Sequence, residues 1–156
     1  KFEKLKQKSL NENLNNQLGS TIIICKNIIN LFLKQNYGNL ILLSSIMGLK
    51  NPKFETYKGT NMTSPIEYSA IKSGIISITK YLAKYYSKKN FKINCISPGG
   101  IKDNFPKKFI KNYKKQCNSK GLLDPKDVTN AIDFLLSKKS NFISGQNIVI
   151  DDGYTL

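Results

Sequence analysis

The spacing of apolar residues along the chain predicts alternating helices and strands. From residue 9 to residue 36, leucines and isoleucines recur at intervals of three or four positions, as on one face of a long helix. A short continuous apolar run over residues 39–43, typical of a strand buried on both faces, predicts the first strand, and residues 91–96 and 146–150 are predicted to form two more. Further helical patterns cover residues 107–116 and 125–137. Strands that alternate with helices in this order predict one α/β domain with a parallel sheet.

A polar segment separates the first predicted strand from another helix. Residues 48–65 contain two prolines, two glycines and many lysines, threonines and asparagines, which predicts a long loop. We expect this loop to be a lid that faces a substrate, with a tolerated insertion as the alternative. Ser64, followed by Pro65 and Glu67, is typical of an N-cap, and the helix that it starts is predicted to run through Tyr68 to about residue 87.

Lysine alone supplies the positive charge of this chain. All 25 basic residues are lysine, the net charge is +15, and the lysines are spread along the whole sequence. Arginine, the usual reader of guanine edges and paired phosphate oxygens, does not occur. We therefore expect a solvated lysine surface and no nucleic-acid partner, with salt-sensitive binding of an anionic polymer as the alternative.

The residue types that are missing exclude several kinds of site. The sequence contains no histidine, which excludes Ser-His-Asp and Cys-His catalysis and most zinc sites. Its three cysteines are far apart and form no C-x-x-C motif, a reduced pattern that predicts a cytoplasmic protein without a metal site. No apolar run approaches the roughly 20 residues that span a bilayer, so we expect no membrane partner.

Two tyrosine-lysine pairs are candidates for acid-base chemistry. Tyr68 and Lys72 are four positions apart on a predicted helix, and their side chains therefore leave the same face one turn apart. An ammonium group beside a phenol favours the phenolate, which makes tyrosine a usable proton donor or acceptor. Tyr85 and Lys89 have the same spacing, but no turn or loop rich in hydroxyls or glycine lies near them in the sequence.

The ends of two predicted strands indicate which pair is functional. Ser44 and Ser45 follow the first strand, and Pro98, Gly99 and Gly100 follow the second. In open parallel sheets, ligands bind beyond the carboxyl ends of the strands. Because the helix with Tyr68 starts at the same edge, hydroxyls, a phenol and a glycine turn are expected to meet there.

The motifs in this order resemble those of the short-chain dehydrogenase/reductase family. The matching runs are Ser45-x-x-Gly48, Tyr68-x-x-x-Lys72-Ser-Gly, Asn94-x-x-x-Pro98-Gly99 and Ser144-Gly145-Gln146-x-x-x-x-Asp151-x-Gly153. The resemblance implies an oxidoreductase that uses NAD or NADP. It implies that Tyr68 exchanges a proton with the substrate oxygen, that Ser45 orients this oxygen, and that Lys72 binds the nicotinamide ribose and tunes Tyr68. By the same resemblance, the nicotinamide would face Tyr68 and the backbone of Pro98, Gly99, Gly100 and Ile101.

The chain departs from the family pattern at its beginning. The family's glycine-rich T-G-x-x-x-G-x-G turn and its N-N-A-G strand do not occur in the sequence. The fold implied is therefore the C-terminal part of a Rossmann-type doubly wound parallel sheet, with residues 1–156 as one partial domain and the N-terminal dinucleotide-binding half absent. Counting back from Ser45, the family's active-site asparagine falls on Gln17, whose amide has one more methylene.

The interval between Ser45 and Tyr68 is longer than is usual in the family. Within it, the run from Pro52 to Tyr68 resembles the flagellin-modification subgroup. This resemblance implies a small, sugar-derived substrate in flagellin glycan or nonulosonic acid synthesis, and a homo-oligomer in the full-length enzyme. The alternative is a catalytically inactive truncated fragment, or an interaction module of a split short-chain dehydrogenase.

Overall fold

Three parallel strands form the central sheet in the computed structural model, which describes residues 2–156. The strands are β1 (Gly38–Leu43), β2 (Phe91–Pro98) and β3 (Asn147–Ile150), in the order β1-β2-β3. Both pairings are parallel, with Gly38 opposite Phe91 and Cys95 opposite Asn147. The predicted parallel sheet is therefore confirmed, and β2 is its central strand.

Helices connect the strands and cover both faces of the sheet. They are α1 (Gln7–Asn13), α2 (Ser20–Gln35), α3 (Ile66–Tyr85), α4 (Lys107–Lys114) and α5 (Pro125–Leu136). Short 3₁₀ helices lie at Phe2–Lys4, Ile46–Gly48, Phe54–Tyr57 and Lys138–Ser140. Of the described residues, no helix is long and apolar enough to cross a membrane.

The two faces of β2 pack against different helices. Ile93 lies in a buried cluster with Ile29 of α2. Ile96 lies in another cluster with Val128 and Leu135 of α5. Since residues 93 and 96 point to opposite faces of a strand, the sheet is buried between two helical layers. This is the doubly wound α/β arrangement that the sequence predicts.

The long first helix is continuous but contains a wider turn than the pattern predicted. A π-helical segment, Leu14–Gly19, joins α1 to α2. Leu14 and Leu18 of this segment pack beside the buried cluster that contains Ile71 and Ile75 of α3. A π turn shifts the apolar face by a fraction of a turn, so both halves of the helix reach the core. Apolar spacing cannot distinguish this insertion from a regular helix.

The start of α3 differs from the sequence prediction by one residue. Pro65, and not Ser64, occupies the N-cap position, and no side chain caps this end of the helix. The preference of proline for the first helical turn explains why the pattern suggested Ser64 as the cap. Glu67, predicted in the first turn, is buried there and accepts a hydrogen bond from the Asn13 side chain at 3.4 Å.

Replacing Asn94 should weaken the contact between β2 and the segment that precedes β3. Asn94 is fully buried on β2, where its amide donates to the Ile143 carbonyl (2.8 Å) and accepts from the Gln146 N–H (3.0 Å). Asn94→Ala leaves both groups without this partner and should lower the free energy of unfolding by about 2–3 kcal/mol. Chemical denaturation measures the change.

The matched control for this prediction is Asn30→Ala. Asn30 is exposed on α2, and its loss should change the free energy of unfolding by less than about 0.5 kcal/mol. Equal denaturation midpoints for the two variants would contradict the role of Asn94 in holding the segment before β3 against β2.

Candidate active site

The segment after β1 is docked against the backbone of α3. The Ser44 hydroxyl donates to the Lys72 carbonyl (2.7 Å), and the Ser73 hydroxyl donates to the Gly48 carbonyl (2.8 Å). A Cβ on Gly48 would lie 2.6 Å from the Lys72 carbonyl carbon, well inside van der Waals contact. Because residue 48 is a glycine, the segment after β1 can contact the backbone of α3 at Lys72, one helical turn after Tyr68.

This docking places Ser45 and Tyr68 at the same cavity. Ser45 is buried at the start of the 3₁₀ helix Ile46–Gly48, and its hydroxyl accepts a hydrogen bond from the Met47 N–H at 3.2 Å. Tyr68 is half-buried in the first turn of α3. Both side chains line a cavity of about 540 Å³ beyond the carboxyl end of β1.

Lys72 lies behind Tyr68 and not in the cavity wall. Its Nζ atom is 5.4 Å from the centre of the Tyr68 ring, the cation–π arrangement expected for residues one turn apart on a helix. Burial lowers the pKa of the Lys72 ammonium from its ordinary value of 10.5. The structure therefore holds the partly desolvated ammonium group of Lys72 next to the phenol of Tyr68, the predicted acid-base residue.

The turn after β2 forms another part of the cavity wall. All four residues of the predicted cofactor-facing turn, Pro98, Gly99, Gly100 and Ile101, line the cavity. The Gly99 N–H donates to the Ile150 carbonyl at the end of β3, and the Gly100 carbonyl accepts from the Leu123 N–H, both at 2.8 Å. The turn is thus fixed by backbone hydrogen bonds on both sides.

The rest of the cavity is lined by aromatic side chains that were not among the predicted site residues. Phe105, Phe109 and Tyr113 form a continuous row along the start and the length of α4, with ring centroids 4.9 and 5.8 Å apart. Tyr57 and Met62, from the polar loop, also line the cavity. The spacing of four between Phe109 and Tyr113 places these two rings on one face of α4, and this regularity was the signal in the sequence that could have indicated them.

Gln17 is near the site but does not line the cavity. It lies half-buried in the π segment, and its carbonyl accepts a hydrogen bond from the Thr21 hydroxyl at 2.6 Å. The residues that line the cavity among the described ones do not include Gln17. The structure therefore brings Ser45, Tyr68 and the turn together and leaves Gln17 in a neighbouring helix.

The second tyrosine-lysine pair lies at the far end of α3. Tyr85 is the last residue of this helix, it is 67% exposed, and it stacks on Tyr81 with ring centroids 5.9 Å apart. It does not line the cavity that contains Tyr68. Within residues 2–156, no group of three or more histidine, cysteine or acidic side chains is placed to hold a metal ion.

Known proteins with similar sequences share nearly the whole length of this chain. The family model described as enoyl-(acyl carrier protein) reductase matches residues 1–155. Post-translational flagellin modification protein A of Campylobacter coli is 46% identical over 145 residues, which are 93% of this chain and 57% of that protein. The 7alpha-hydroxysteroid dehydrogenase of Bacteroides fragilis is 32% identical over 144 residues, 89% of this chain and 52% of that protein. The chain thus spans about half the length of these relatives.

A solved structure has the same fold. The short chain dehydrogenase from Leptospira borgpetersenii serovar Hardjo-bovis, crystallised with bound NAD+, superimposes with a TM-score of 0.93 at 33% identity. The match covers 99% of this chain and 59% of that one.

Adding one methyl group at position 48 should disturb the contact between β1 and α3. Gly48→Ala places its Cβ against the Lys72 backbone, which cannot rotate away as a side chain would. We expect the free energy of unfolding to fall by about 1–3 kcal/mol, a typical cost of overpacking. Gly19→Ala is the control, because a Cβ there meets only the Leu14 carbonyl oxygen at 3.7 Å. Urea denaturation of both variants checks the prediction, which fails if Gly48→Ala is as stable as Gly19→Ala.

The buried ammonium of Lys72 should make stability depend on pH in the alkaline range. Its pKa is lower in the folded than in the unfolded chain, so the folded state binds fewer protons and gains stability as pH rises toward 10.5. Lys72→Met removes this dependence and should leave the thermal midpoint at pH 7 unchanged or higher. Relative to Lys72→Met, the native protein should become more stable as the pH rises toward 10.5.

The exposed Lys80 of the same helix supplies the control for this titration. Lys80→Met should keep the pH dependence of the native protein. If thermal denaturation shows that Lys72→Met lowers the midpoint at pH 7 and leaves the alkaline dependence intact, Lys72 does not carry the predicted desolvation.

Proposed function

The chain belongs to the short-chain dehydrogenase/reductase family, and we propose that the protein that carries it interconverts an alcohol and a ketone with NAD or NADP. The observation that supports this proposal best is that Ser45, Tyr68 and the Gly99 turn line one cavity. A phenol, a hydroxyl and an exposed stretch of backbone at one site are suited to moving a proton at a carbonyl oxygen.

Tyr68 is the proton donor and acceptor in this proposal. Its phenol gives a proton to the carbonyl oxygen of the substrate during reduction and takes it back during oxidation. Lys72, with Nζ 5.4 Å from the ring centre, is close enough to stabilise the phenolate that forms in the reaction. The resemblance of the Tyr68-x-x-x-Lys72 motif to the family supports a second role for Lys72, in binding the nicotinamide ribose.

Ser45 orients the reacting oxygen. Its hydroxyl oxygen already accepts the Met47 N–H, so its O–H remains free to donate to a substrate oxygen. Gln17 acts from the π segment in this proposal, where its amide holds a water molecule that relays protons.

The turn after β2 fits the flat face of a nicotinamide. Pro98, Gly99, Gly100 and Ile101 line the cavity as one short turn, and in this proposal the nicotinamide ring lies against it. The bound nicotinamide supplies or accepts the hydride. The turn, together with Lys72 and Tyr68, holds it against the substrate side of the cavity.

A sugar-derived substrate is the proposal for the remaining space. The cavity combines hydroxyl-bearing residues, such as Ser45 and Ser64, with the rings of Tyr57 and Phe105. Hydroxyls can bond the oxygens of a sugar, and aromatic faces can cover its apolar side. The 46% identity to flagellin modification protein A supports a role in flagellin glycan or nonulosonic acid synthesis. Tyr57, Met62 and Ser64 come from the 48–65 loop, which supports its role as a lid.

The outer surface of the long helices supports self-association. Ile22, Ile23 and Leu31 of α2 are each at least half exposed, and Tyr81 of α3 is exposed beside them at the edge of a shallow pocket. Water-exposed apolar side chains in this number favour burial against another surface. We propose a homo-oligomer for the full-length enzyme. The same surface favours the second candidate function, that of a catalytically inactive interaction module.

Removing the Tyr68 hydroxyl should stop turnover. In the complete natural polypeptide, Tyr68→Phe keeps the ring and removes the proton donor, so kcat should fall by about 10²–10⁴. The dissociation constant of the nicotinamide nucleotide should change by less than about threefold, because the ring and Lys72 remain. Steady-state kinetics and fluorescence titration measure the two quantities.

Tyr85→Phe is the control, since Tyr85 is exposed at the other end of the same helix. It should leave kcat and nucleotide binding unchanged. Full turnover by Tyr68→Phe would remove Tyr68 from the mechanism. A native protein that binds neither NAD(H) nor NADP(H) would favour the interaction module.

A further inference from the structure

One hydroxyl anchors the turn that faces the nicotinamide in the proposed function. The Gly100 N–H donates to the phenol oxygen of Tyr113 at 2.6 Å. The other hydrogen bonds that fix this turn, from Gly99 and to the Gly100 carbonyl, join backbone groups to backbone groups. The bond to Tyr113 is therefore the one that a single side-chain substitution can remove.

Packing holds the Tyr113 ring in one place. The side chain is 3% exposed, and its ring stacks on Tyr154 with centroids 4.5 Å apart and an interplanar angle of 16°. Phe109 packs against it from the preceding turn of α4. Burial also raises the pKa of Tyr113 above its ordinary value, so the phenol stays protonated at neutral pH.

The glycines of the turn fit closely against this phenol. A Cβ on Gly99 would lie 2.8 Å from the Tyr113 oxygen, and a Cβ on Gly100 would lie 3.1 Å from carbon atoms of its ring. Both distances are shorter than normal contacts, so the turn can lie flat on Tyr113 because positions 99 and 100 lack side chains. The position of the ring thus determines the position of the turn.

Tyr154 extends the contact to the loop on the substrate side. Its hydroxyl and the Thr56 hydroxyl form a buried hydrogen bond of 2.9 Å. Thr56 belongs to the 3₁₀ helix Phe54–Tyr57, whose last residue, Tyr57, lines the cavity. Two stacked rings therefore connect the cofactor-facing turn with the loop that covers the substrate.

The geometry points to Tyr113 as a positioning residue that holds the Gly100 amide, and with it the nicotinamide-facing turn, in register with Tyr68. Tyr154 acts as its support and positions the loop through Thr56. This inference rests on the proposed function, because it assigns the turn to a nicotinamide nucleotide. It predicts that the Tyr113 hydroxyl affects binding of the nicotinamide nucleotide and that the Tyr154 hydroxyl affects binding of the carbonyl substrate.

The test is a pair of phenylalanine variants in the complete natural polypeptide. Tyr113→Phe keeps the stacked ring and removes the acceptor of the Gly100 N–H, so KM and Kd for the nicotinamide nucleotide should rise about three- to tenfold. At saturating nucleotide, kcat should stay within about twofold of the native value. Tyr154→Phe keeps the stack and removes the bond to Thr56. It should raise KM for the carbonyl substrate by about threefold or more and leave nucleotide binding unchanged.

Tyr37→Phe, at an exposed tyrosine between α2 and β1, controls for the loss of a phenol elsewhere. If Tyr113→Phe lowers the thermal midpoint but leaves nucleotide KM and Kd unchanged, its role is structural only and the inference is overturned. The Tyr68→Phe result is independent of that outcome, so the proposed function can stand while this inference fails. A native protein that binds neither nucleotide overturns both.

Discussion

The close contact between the end of β1 and the backbone of α3 is the constraint on which the site depends. Gly48 lies so near Lys72 that no side chain fits between them. Hydroxyls on each side, Ser44 from the strand end and Ser73 from the helix, tie the two elements together. A shift of α3 by one residue would break both hydrogen bonds and place a different side chain at the cavity. The position of Ser45 relative to Tyr68 is therefore set by contacts to the backbone of Lys72 and Gly48. The hydroxyl groups of Ser45 and Tyr68 themselves do not set it.

The opposite wall of the cavity has a separate origin. It depends on the central strand β2, whose end continues into the glycine turn that is packed against Tyr113. The C-terminal segment contributes Tyr154, which stacks on Tyr113 and reaches Thr56 of the loop. One wall thus comes from β1 and α3, and the other comes from the end of β2 and from α4, with Tyr154 packed against Tyr113. Chemistry that needs both walls depends on the parallel pairing that brings these strand ends to one edge.

Local signals in the sequence were less reliable at element boundaries and in the loop. Ser64 has the residue type of an N-cap, but Pro65, whose backbone is extended, occupies that position. Polar composition predicted a loop at 48–65, yet the loop contains the 3₁₀ helix Phe54–Tyr57, which places Tyr57 in the cavity. The π segment around Gln17 could not be predicted either, because one inserted residue changes the spacing of apolar residues too little. In each case, long-range packing decided between local conformations of similar energy.

Ser45, Tyr68 and Lys72 stay predicted site residues, whereas the sequence by itself determined the class of fold and the number and parallel direction of the strands. Those features follow from apolar spacing and from residue types at strand ends, which are local properties of the chain. Only the tertiary structure decided which side chains share the cavity, and it added the aromatic row of α4 and the role of Tyr113 as acceptor for Gly100. The partners in these contacts are far apart in sequence or act through close packing. Their choice depends on the register between packed elements, which no single segment contains.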